Sequence, residues 1–177
     1  MTRGDEVRRR LLAAAVALVP ERGWTAVSTR VLADRAGVTP SVVHYHFASV
    51  RALLAEAVVA AMRAVAAELD DVLATAESPV AAVEAMVASV DRHTGTDPTS
   101  LLFVEAYLAA TRDEALRRDI AEIVTGLRQR LGAWLAEHGV DAPQDTAAAV
   151  LAVLDGLLLH RGLGASTSAA VVRRLVA

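Results

Sequence analysis

The 177-residue sequence contains no cysteine and no lysine, and only six of its residues are aromatic. Without cysteine, the chain can form neither disulfides nor thiolate metal sites. The scarcity of glycine and proline, together with abundant alanine, valine and leucine, disfavours a sheet protein and favours packed helices. The length suffices for one or two small domains with a buried core. We therefore predict an all-α protein.

The sequence also lacks the motifs on which many enzymes depend. It has no glycine-rich phosphate loop, no nucleophile elbow and no HExxH metal motif. The longest apolar run, residues 147–154, is too short to cross a bilayer, and the N-terminus lacks a signal-peptide pattern. These absences predict a cytoplasmic protein that is not an enzyme, requires no cofactor and has no membrane partner.

Charge is divided unevenly along the chain, which has a net charge of −3. Residues 1–54 hold eight arginines and four acidic residues, a net charge of +4. Residues 55–177 hold ten arginines and seventeen acidic residues, a net charge of −7. A basic N-terminal part suits contact with phosphates, so nucleic acid is the expected partner of this end.

The stretch STRVLADRAGVTPSVVHYHF, residues 28–47, predicts two short helices joined by a tight turn. Gly37 suits the left-handed residue that ends the first helix. Thr39 suits the cap of the second helix through its hydroxyl, and Pro40 suits its first position. This arrangement is typical of a helix-turn-helix DNA-binding motif.

The second of these helices has one apolar and one polar side. Val43 and Phe47, four residues apart, are expected to face the core. Ser41, His44 and Tyr45 then point outward as a small polar face that can meet base edges and phosphates. This division of the helix supports the prediction that it contacts DNA.

The motif and its surroundings resemble the tetracycline-repressor (TetR) family. The resemblance covers about residues 5–65 and is carried by Gly23-Trp24, Leu32-Ala33-x-x-Ala36-Gly37-Val38-Thr39, Val43-His44-Tyr45-His46-Phe47 and Leu53-Leu54. It implies a three-helix helix-turn-helix DNA-binding domain at residues 1–50 and a helical effector-binding and dimerisation domain at residues 51–177. Helix start and stop signals along the chain predict about nine helices, with helix starts at Ser49 and Ser78. Pro20 is expected to end or kink the first helix a little early. The family resemblance favours a repressor released from DNA by a small molecule.

The resemblance implies that the second motif helix enters the major groove of an operator. The residues expected to contact bases or phosphates are Ser28, Thr29, Arg30, Thr39, Pro40, Ser41, Val42, His44, Tyr45 and Arg51. Two positions depart from the family pattern, since His44 replaces a usual Tyr and Val50 replaces a usual Lys. Arg51 offers a substitute charge about 100° further round the helix. We expect normal folding with weaker phosphate anchoring or a changed operator preference.

Specific DNA recognition predicts a homodimer, because one recognition helix contacts only a few base pairs. Two such helices about 34 Å apart match a pseudo-palindromic operator. The final predicted helices, at residues 144–162 and 167–176, are apolar on most sides and suit the dimer interface. The interface candidates are Ala148, Ala149, Ala152, Gly156, Val171, Val172 and Leu175. The alternative is a central helix buried within a monomer.

The acidic C-terminal part is predicted to bind a small apolar or amphipathic effector. The candidate lining residues are Met62, Met86, Phe103, Tyr107 and Trp134. Methionine and aromatic side chains are usual in adaptable apolar pockets, although each also suits ordinary core packing. Glu105 and His93 are polar candidates for orienting the ligand, or else surface residues.

Two further alternatives are open at this level. A DNA-bending protein, or a regulator without an effector, would use the same motif without a ligand switch. A metal site at His44 and His46 is disfavoured, because residues two apart on a helix diverge and no carboxylate lies nearby in sequence.

Overall fold

The computed structural model describes residues 2–164, which form eight α-helices and one short 3₁₀ turn, with no strand among them. The elements are α1 (Arg3–Arg22), the 3₁₀ turn (Trp24–Ala26), α2 (Thr29–Ala36), α3 (Pro40–His46), α4 (Val50–Thr75), α5 (Pro79–Asp91), α6 (Pro98–Ala110), α7 (Glu114–Glu137) and α8 (Pro143–Gly162). This confirms the all-α prediction. The ninth predicted helix, at residues 167–176, lies outside the described residues. None of the helices described is both long and apolar enough to cross a membrane.

Side-chain oxygens begin several helices at the predicted places. Ser28 accepts from the Val31 N–H at 3.4 Å, and Ser78 accepts from the Ala81 N–H at 3.2 Å. Ser49 precedes α4 and accepts from the Ala52 N–H at 3.1 Å. Each oxygen satisfies one of the N–H groups that the first turn of a helix leaves unpaired.

Two local expectations were wrong. Pro20 was expected to end or kink α1 early, but the helix continues to Arg22. Pro20 lies in the last turn, where few helical bonds remain to be lost, and the Gly23 N–H closes that turn on the Val19 carbonyl at 2.9 Å. Thr39 does not cap α3 with its hydroxyl, because the hydroxyl pairs with that of Ser41 at 2.9 Å instead.

The described chain divides into two compact units. The first unit comprises the residues up to Met62 together with Leu101–Ile120, and the second comprises Arg63–Ser100 and the residues from Ala121 onward. Helices α4, α6 and α7 therefore each contribute residues to both units. The domain boundary predicted at residue 50 does not coincide with this division into compact units, and the assignment of functions to its two sides stays a prediction.

The core of the first unit lies among α1, α2, α3, the start of α4 and part of α6. Its fully buried side chains include Leu11, Leu18, Val19, Leu32, Val43, Leu53, Leu54, Val58 and Leu102. The Val38 N–H bonds to the Ala33 carbonyl at 3.0 Å, and Gly37 has φ 64° and ψ 42°. This left-handed turn confirms the predicted role of Gly37 and directs α3 away from α2.

The core of the second unit lies among α5, α7, α8 and the end of α4. Its members include Leu69, Val83, Met86, Val87, Leu131, Leu135, Val150, Leu154 and Leu157. Arg161 of α8 donates from Nη1 to the Val90 and His93 carbonyls at 2.6 and 2.9 Å, and it also pairs with Asp91. This guanidinium therefore ties α8 to the C-terminal end of α5 and to the residues that follow it.

Candidate nucleic-acid interface

Helix α3 divides its residues between the core and an open face. Val43 is 1% exposed and Phe47, just after the helix, is 6% exposed. Ser41, His44 and Tyr45 all lie on the exposed side, and the Tyr45 ring is 85% exposed. This exposed ring and the polar groups beside it are available for contact with a partner. The outward face predicted from the spacing is therefore present.

The start of α3 carries a pair of hydroxyls. The Thr39 Oγ1 and Ser41 Oγ lie 2.9 Å apart, and Thr39, Pro40 and Ser41 are all exposed. Val42, next along the helix, is half-buried. Hydroxyls both donate and accept hydrogen bonds, so this end of the helix can meet either a base edge or a phosphate.

The start of α2 offers a second set of polar groups. Ser28 is exposed and caps the helix, Thr29 is half-buried, and Arg30 is exposed. Among residues 2–164, Arg30 has no hydrogen bond or ion pair. A helix N-terminus with a free guanidinium beside it is suited to binding a phosphate group.

Several arginines of the first unit serve its structure instead. Arg8 pairs with Glu56 of α4 at 2.5 Å, and its guanidinium lies 4.8 Å from the centre of the Phe47 ring. Arg35 pairs with Glu21 at 2.5 Å, which ties α2 to α1. The positive charge of this region is thus partly neutralised within the fold.

Arg10 remains without such a partner among the described residues and is exposed. Its Nη1 lies 3.8 Å from the position that a Cβ on Gly37 would occupy, which places the guanidinium beside the turn between α2 and α3. The sequence shows three consecutive arginines at 8–10 but no signal that distinguishes Arg10 from the other two.

Arg51 is also paired in this structure. Its Nε donates to Oδ2 of Asp113 at 2.5 Å, with the Arg51 side chain 63% exposed and that of Asp113 13% exposed. This hydrogen bond from Arg51 holds the pKa of Asp113 below its usual value. The predicted phosphate anchor therefore lies against a carboxylate from the start of α7.

Glu105 makes a hydrogen bond within the fold. Its side chain is half-buried and its Oε2 accepts the Trp24 backbone N–H at 2.7 Å, so it is not a free surface residue. The bond joins α6 to the 3₁₀ turn that precedes α2, within the first unit. The sequence alone contains no sign of this contact, because the two residues are 81 positions apart.

The five predicted effector-lining residues are distributed over both units. Met62 and Phe103 pack against the first core, whereas Tyr107 is 69% exposed. Met86 is buried in the second core, and Trp134 packs against that core with its ring stacked on His138. Neither unit holds all five.

The second unit contains an open cleft of about 350 Å³ between α4 and α7 that none of the predicted residues lines. Its lining consists of Arg63, Ala66, Ala67, Asp70, Glu122, Ile123, Gly126 and Arg130. Arg130 is held by Asp70 at 2.9 Å and by the Ala66 carbonyl at 3.3 Å. The cleft was not predicted from the sequence because its lining is charged and contains none of the methionine and aromatic residues that are usual in an apolar pocket.

Helix α8 has one buried and one open side. Ala147, Val150, Leu154 and Leu157 are buried in the second core. Of the predicted interface residues, Ala149 and Ala152 are exposed, Ala148 is half-buried, and a side chain added at Gly156 would meet open space. Leu159 and Leu163 are also exposed, at 52% and 84%. Val171, Val172 and Leu175 lie outside the described residues.

His44 and His46 belong to no cluster of metal-ligand residues in the described structure. Within residues 2–164, no group of three or more histidine or acidic residues is placed to hold a metal ion. The His46 ring instead meets the Tyr45 ring edge-on, with centroids 5.1 Å apart.

Comparison with known proteins identifies both parts of the chain. Residues 11–57 match the family described as "Bacterial regulatory proteins, tetR family", and residues 77–177 match "Tetracyclin repressor-like, C-terminal domain". The second match alone spans more than half of the chain. No protein of curated function matches the chain by sequence.

Solved structures match over almost the whole length. A transcriptional regulator from Streptomyces coelicolor A3(2) is 30% identical, with 97% of this chain and 98% of that chain covered and a TM-score of 0.79. The multidrug binding protein EbrR, crystallised with imidazole, is also 30% identical, with 96% and 94% covered and a TM-score of 0.71. Salmonella enterica GusR shares the fold at 20% identity, with 99% and 96% covered and a TM-score of 0.77.

Proposed function

Because the chain belongs to the TetR family of transcriptional regulators, we propose that it is a repressor that binds a pseudo-palindromic operator as a homodimer and leaves it when an effector binds. The observation that carries the proposal is the exposed polar face of α3, with Tyr45 at 85% exposure opposite a buried Val43. A transcriptional repressor of this kind acts in the cytoplasm, where the chromosome lies.

Base recognition is assigned to the exposed face of α3. Tyr45, Ser41 and His44 have hydrogen-bonding groups directed away from the core, and Thr39 and Pro40 lie at the same end of the helix. Val42 offers an apolar contact suited to a thymine methyl. His44 stands where the family usually has Tyr, and an imidazole is shorter than a phenol and places its hydrogen-bonding groups differently, which favours a changed operator preference.

Phosphate anchoring is assigned to the groups around α2 and to the start of α4. Ser28, Thr29 and Arg30 surround the N-terminus of α2, and the unpaired Arg10 lies beside the following turn. Arg51 adds a guanidinium at the N-terminal end of α4. Contacts of this type hold the protein in register on the duplex without reading its sequence.

The open side of α8 is the proposed dimer surface. Small residues at Ala148, Ala149, Ala152 and Gly156 allow two helices to approach closely, and exposed leucines extend the same helix with apolar area. Val171, Val172 and Leu175 remain part of this proposal.

Light scattering tests the dimer surface with a matched pair of variants. Ala152→Arg places a charge on the open side of α8 and should convert the dimer to a monomer, because a buried unpaired charge is strongly unfavourable. Ala121→Arg, at an exposed alanine of α7, should leave the dimer intact. A dimeric Ala152→Arg variant would contradict this surface.

The effector is proposed to be a small amphipathic organic molecule. EbrR, 30% identical over nearly the whole chain, is a multidrug binding protein, which supports an organic ligand here. The cleft between α4 and α7 combines Ala66, Ile123 and Gly126 with Arg63 and Glu122, a lining that offers both apolar area and charge. Met62, Met86, Phe103, Tyr107 and Trp134 remain candidates for the apolar part of the site.

Release from DNA then requires the effector to bind more tightly to the conformation that leaves DNA than to the conformation that binds it. Helix α4 begins four positions after α3 ends and continues to Thr75. One helix therefore contains both residues that follow the recognition helix closely in sequence and residues that line the cleft. A change in α4 on ligand binding is the proposed route to the recognition helices.

In vitro selection of bound duplexes from a random pool tests the DNA-binding part. A regulator should yield two half-sites about one helical turn apart. An architectural protein would show no preference between the selected duplex and random DNA at about 0.15 M salt. An effector panel added to the selected complex then tests release, with Arg63→Ala expected to lose the response and Arg128→Ala, outside the cleft, expected to keep it.

A further inference from the structure

The carboxylate of Asp113 makes two separate sets of contacts through its two oxygens. Oδ1 accepts the Ala115 and Leu116 backbone N–H groups at 3.0 and 3.2 Å, which caps the start of α7. Oδ2 accepts the Nε of Arg51 at 2.5 Å. Capping needs only one oxygen, so the contact with Arg51 is an additional function of the second.

Arg51 occupies a place where a phosphate contact would be favourable. It is the second residue of α4, which starts four positions beyond the last residue of α3 and follows directly on the Ser49 cap. Unpaired N–H groups at a helix start attract anions. A guanidinium binds carboxylate and phosphate with the same hydrogen-bonding groups, so one Arg51 Nε cannot serve both at once.

We propose that Asp113 competes with a DNA phosphate for Arg51: the carboxylate takes the Nε–H and opposes an approaching phosphate by its negative charge, so this ion pair weakens the hold of Arg51 on the operator. The proposal rests on the DNA-binding function proposed above. In it, Asp113 is an intramolecular competitor of DNA, and the ion pair sets how much of the positive charge of residues 1–54 is available.

The position of Asp113 connects this competition to the rest of the chain. The turn between α6 and α7 is closed by backbone bonds from the Thr111, Arg112 and Asp113 N–H groups to carbonyls at the end of α6, at 3.0–3.3 Å. These bonds fix Asp113 directly to the end of α6. Helices α6 and α7, which flank Asp113, both also contribute residues to the second unit.

The substitution Asp113→Asn separates the two contacts. The asparagine Oδ1 can still cap α7, because asparagine and aspartate are equally good at this position. Its amide nitrogen replaces Oδ2 and cannot accept the Arg51 Nε–H. Asp113→Ser, which also retains a capping oxygen, provides a second variant if the first folds poorly.

The control is Glu114→Gln, one residue further along. Glu114 is 65% exposed and pairs with Arg117 at 2.7 Å rather than with any of residues 1–54. The Glu114→Gln substitution removes one negative charge from the start of α7, as Asp113→Asn does. Any effect of net charge alone should therefore appear equally in both variants, because the two sites lie well within one screening length of about 10 Å.

Fluorescence anisotropy with a labelled random-sequence duplex of about 30 base pairs measures the effect, since phosphate anchoring does not depend on sequence. We expect Asp113→Asn to bind about 2- to 5-fold more tightly than Glu114→Gln, the range set by exposed ion pairs. In an Arg51→Ala background, both substitutions should have the same effect. Arg51→Ala alone should bind no more tightly than wild type.

Equal affinities of Asp113→Asn and Glu114→Gln would overturn the proposal. A gain that persists in the Arg51→Ala background would also overturn it, because the gain would then not pass through Arg51. If wild type binds the duplex but no gain appears, only the competition is refuted. If wild type binds neither random nor selected duplex, the DNA-binding function fails with it.

Discussion

The hydrogen bond between Glu105 and the Trp24 backbone N–H should stabilise the first unit measurably. The bond is short, 2.7 Å, partly buried, and has a charged acceptor. Hydrogen bonds to charged groups contribute about 1.5–3 kcal/mol, and leaving a buried N–H unpaired has a similar cost. We therefore expect Glu105→Ala to lower the free energy of unfolding by about 2 kcal/mol. Alanine's better helix propensity offsets only a few tenths of that.

Tryptophan fluorescence can measure the unfolding of the first unit separately from that of the second. Trp24 belongs to the first unit and Trp134 to the second, and the chain has no other tryptophan. In a Trp134→Phe background, fluorescence therefore reports only on the surroundings of Trp24. The free energy of unfolding of a small protein falls by about 2 kcal/mol per molar urea, so a loss of about 2 kcal/mol should lower the urea midpoint of unfolding by about 1 M.

Glu105→Gln separates the acceptor from the rest of the side chain. Glutamine keeps a carbonyl oxygen of the same reach but no charge, so its midpoint should lie between those of wild type and Glu105→Ala. Equal midpoints for the alanine and glutamine variants would refute the argument, since the loss would then not come from the missing acceptor. An unchanged midpoint in both would show that the bond contributes nothing.

Three further predictions concern the DNA face, the start of α6 and a close helix contact. Tyr45→Ala should change the selected DNA sequence. Arg30→Ala should weaken binding to all sequences and reduce by about 1 the slope of log binding constant against log salt concentration. Equal effects of both variants on every duplex would contradict the division between base recognition and phosphate anchoring. Burial disfavours the charge on Asp97, but hydrogen bonds from Ser100, His93 and Thr94 outweigh it and hold its pKa well below the usual value. The ionised carboxylate therefore stabilises the fold above about pH 4, and that stability is lost as the pH falls through the lowered pKa, so Asp97→Asn should flatten the acid limb of a stability–pH curve. Gly95→Ala should be far more destabilising than Gly139→Ala in thermal unfolding: both glycines have positive φ, but only at Gly95 would a Cβ lie 2.3 Å from backbone of α8.

Much of the helical structure was predictable because its causes are local. Ser28, Ser78 and the Gly37 turn act within four residues of their own positions, and the structure places each where the sequence predicts it. The outward face of α3 was equally predictable, because helical periodicity alone separates Val43 from Tyr45. Thr39 shows where local patterns are not sufficient. Its hydroxyl could cap α3 or bond to the Ser41 hydroxyl, and the sequence does not say which of the two bonds forms.

The candidate effector site was less predictable than the helices. Met86 is a core residue and Tyr107 is exposed, although both residue types suit an apolar pocket equally well. Which of them packs inside depends on the helices that lie opposite. The cleft lined by Arg63 and Arg130 arises only where α4 and α7 pass each other.

Helix positions, the turn after α2 and the family itself follow from residues close together in the chain, because helical hydrogen bonds and caps span only three or four positions. The pairing of polar groups that are far apart in the chain does not follow from such local patterns. Arg8 meets Glu56, Arg51 meets Asp113 and Trp24 meets Glu105 across 48, 62 and 81 positions. Such partners are chosen by the packing of helices that are distant in sequence, so only the folded chain decides which arginines are free to hold DNA.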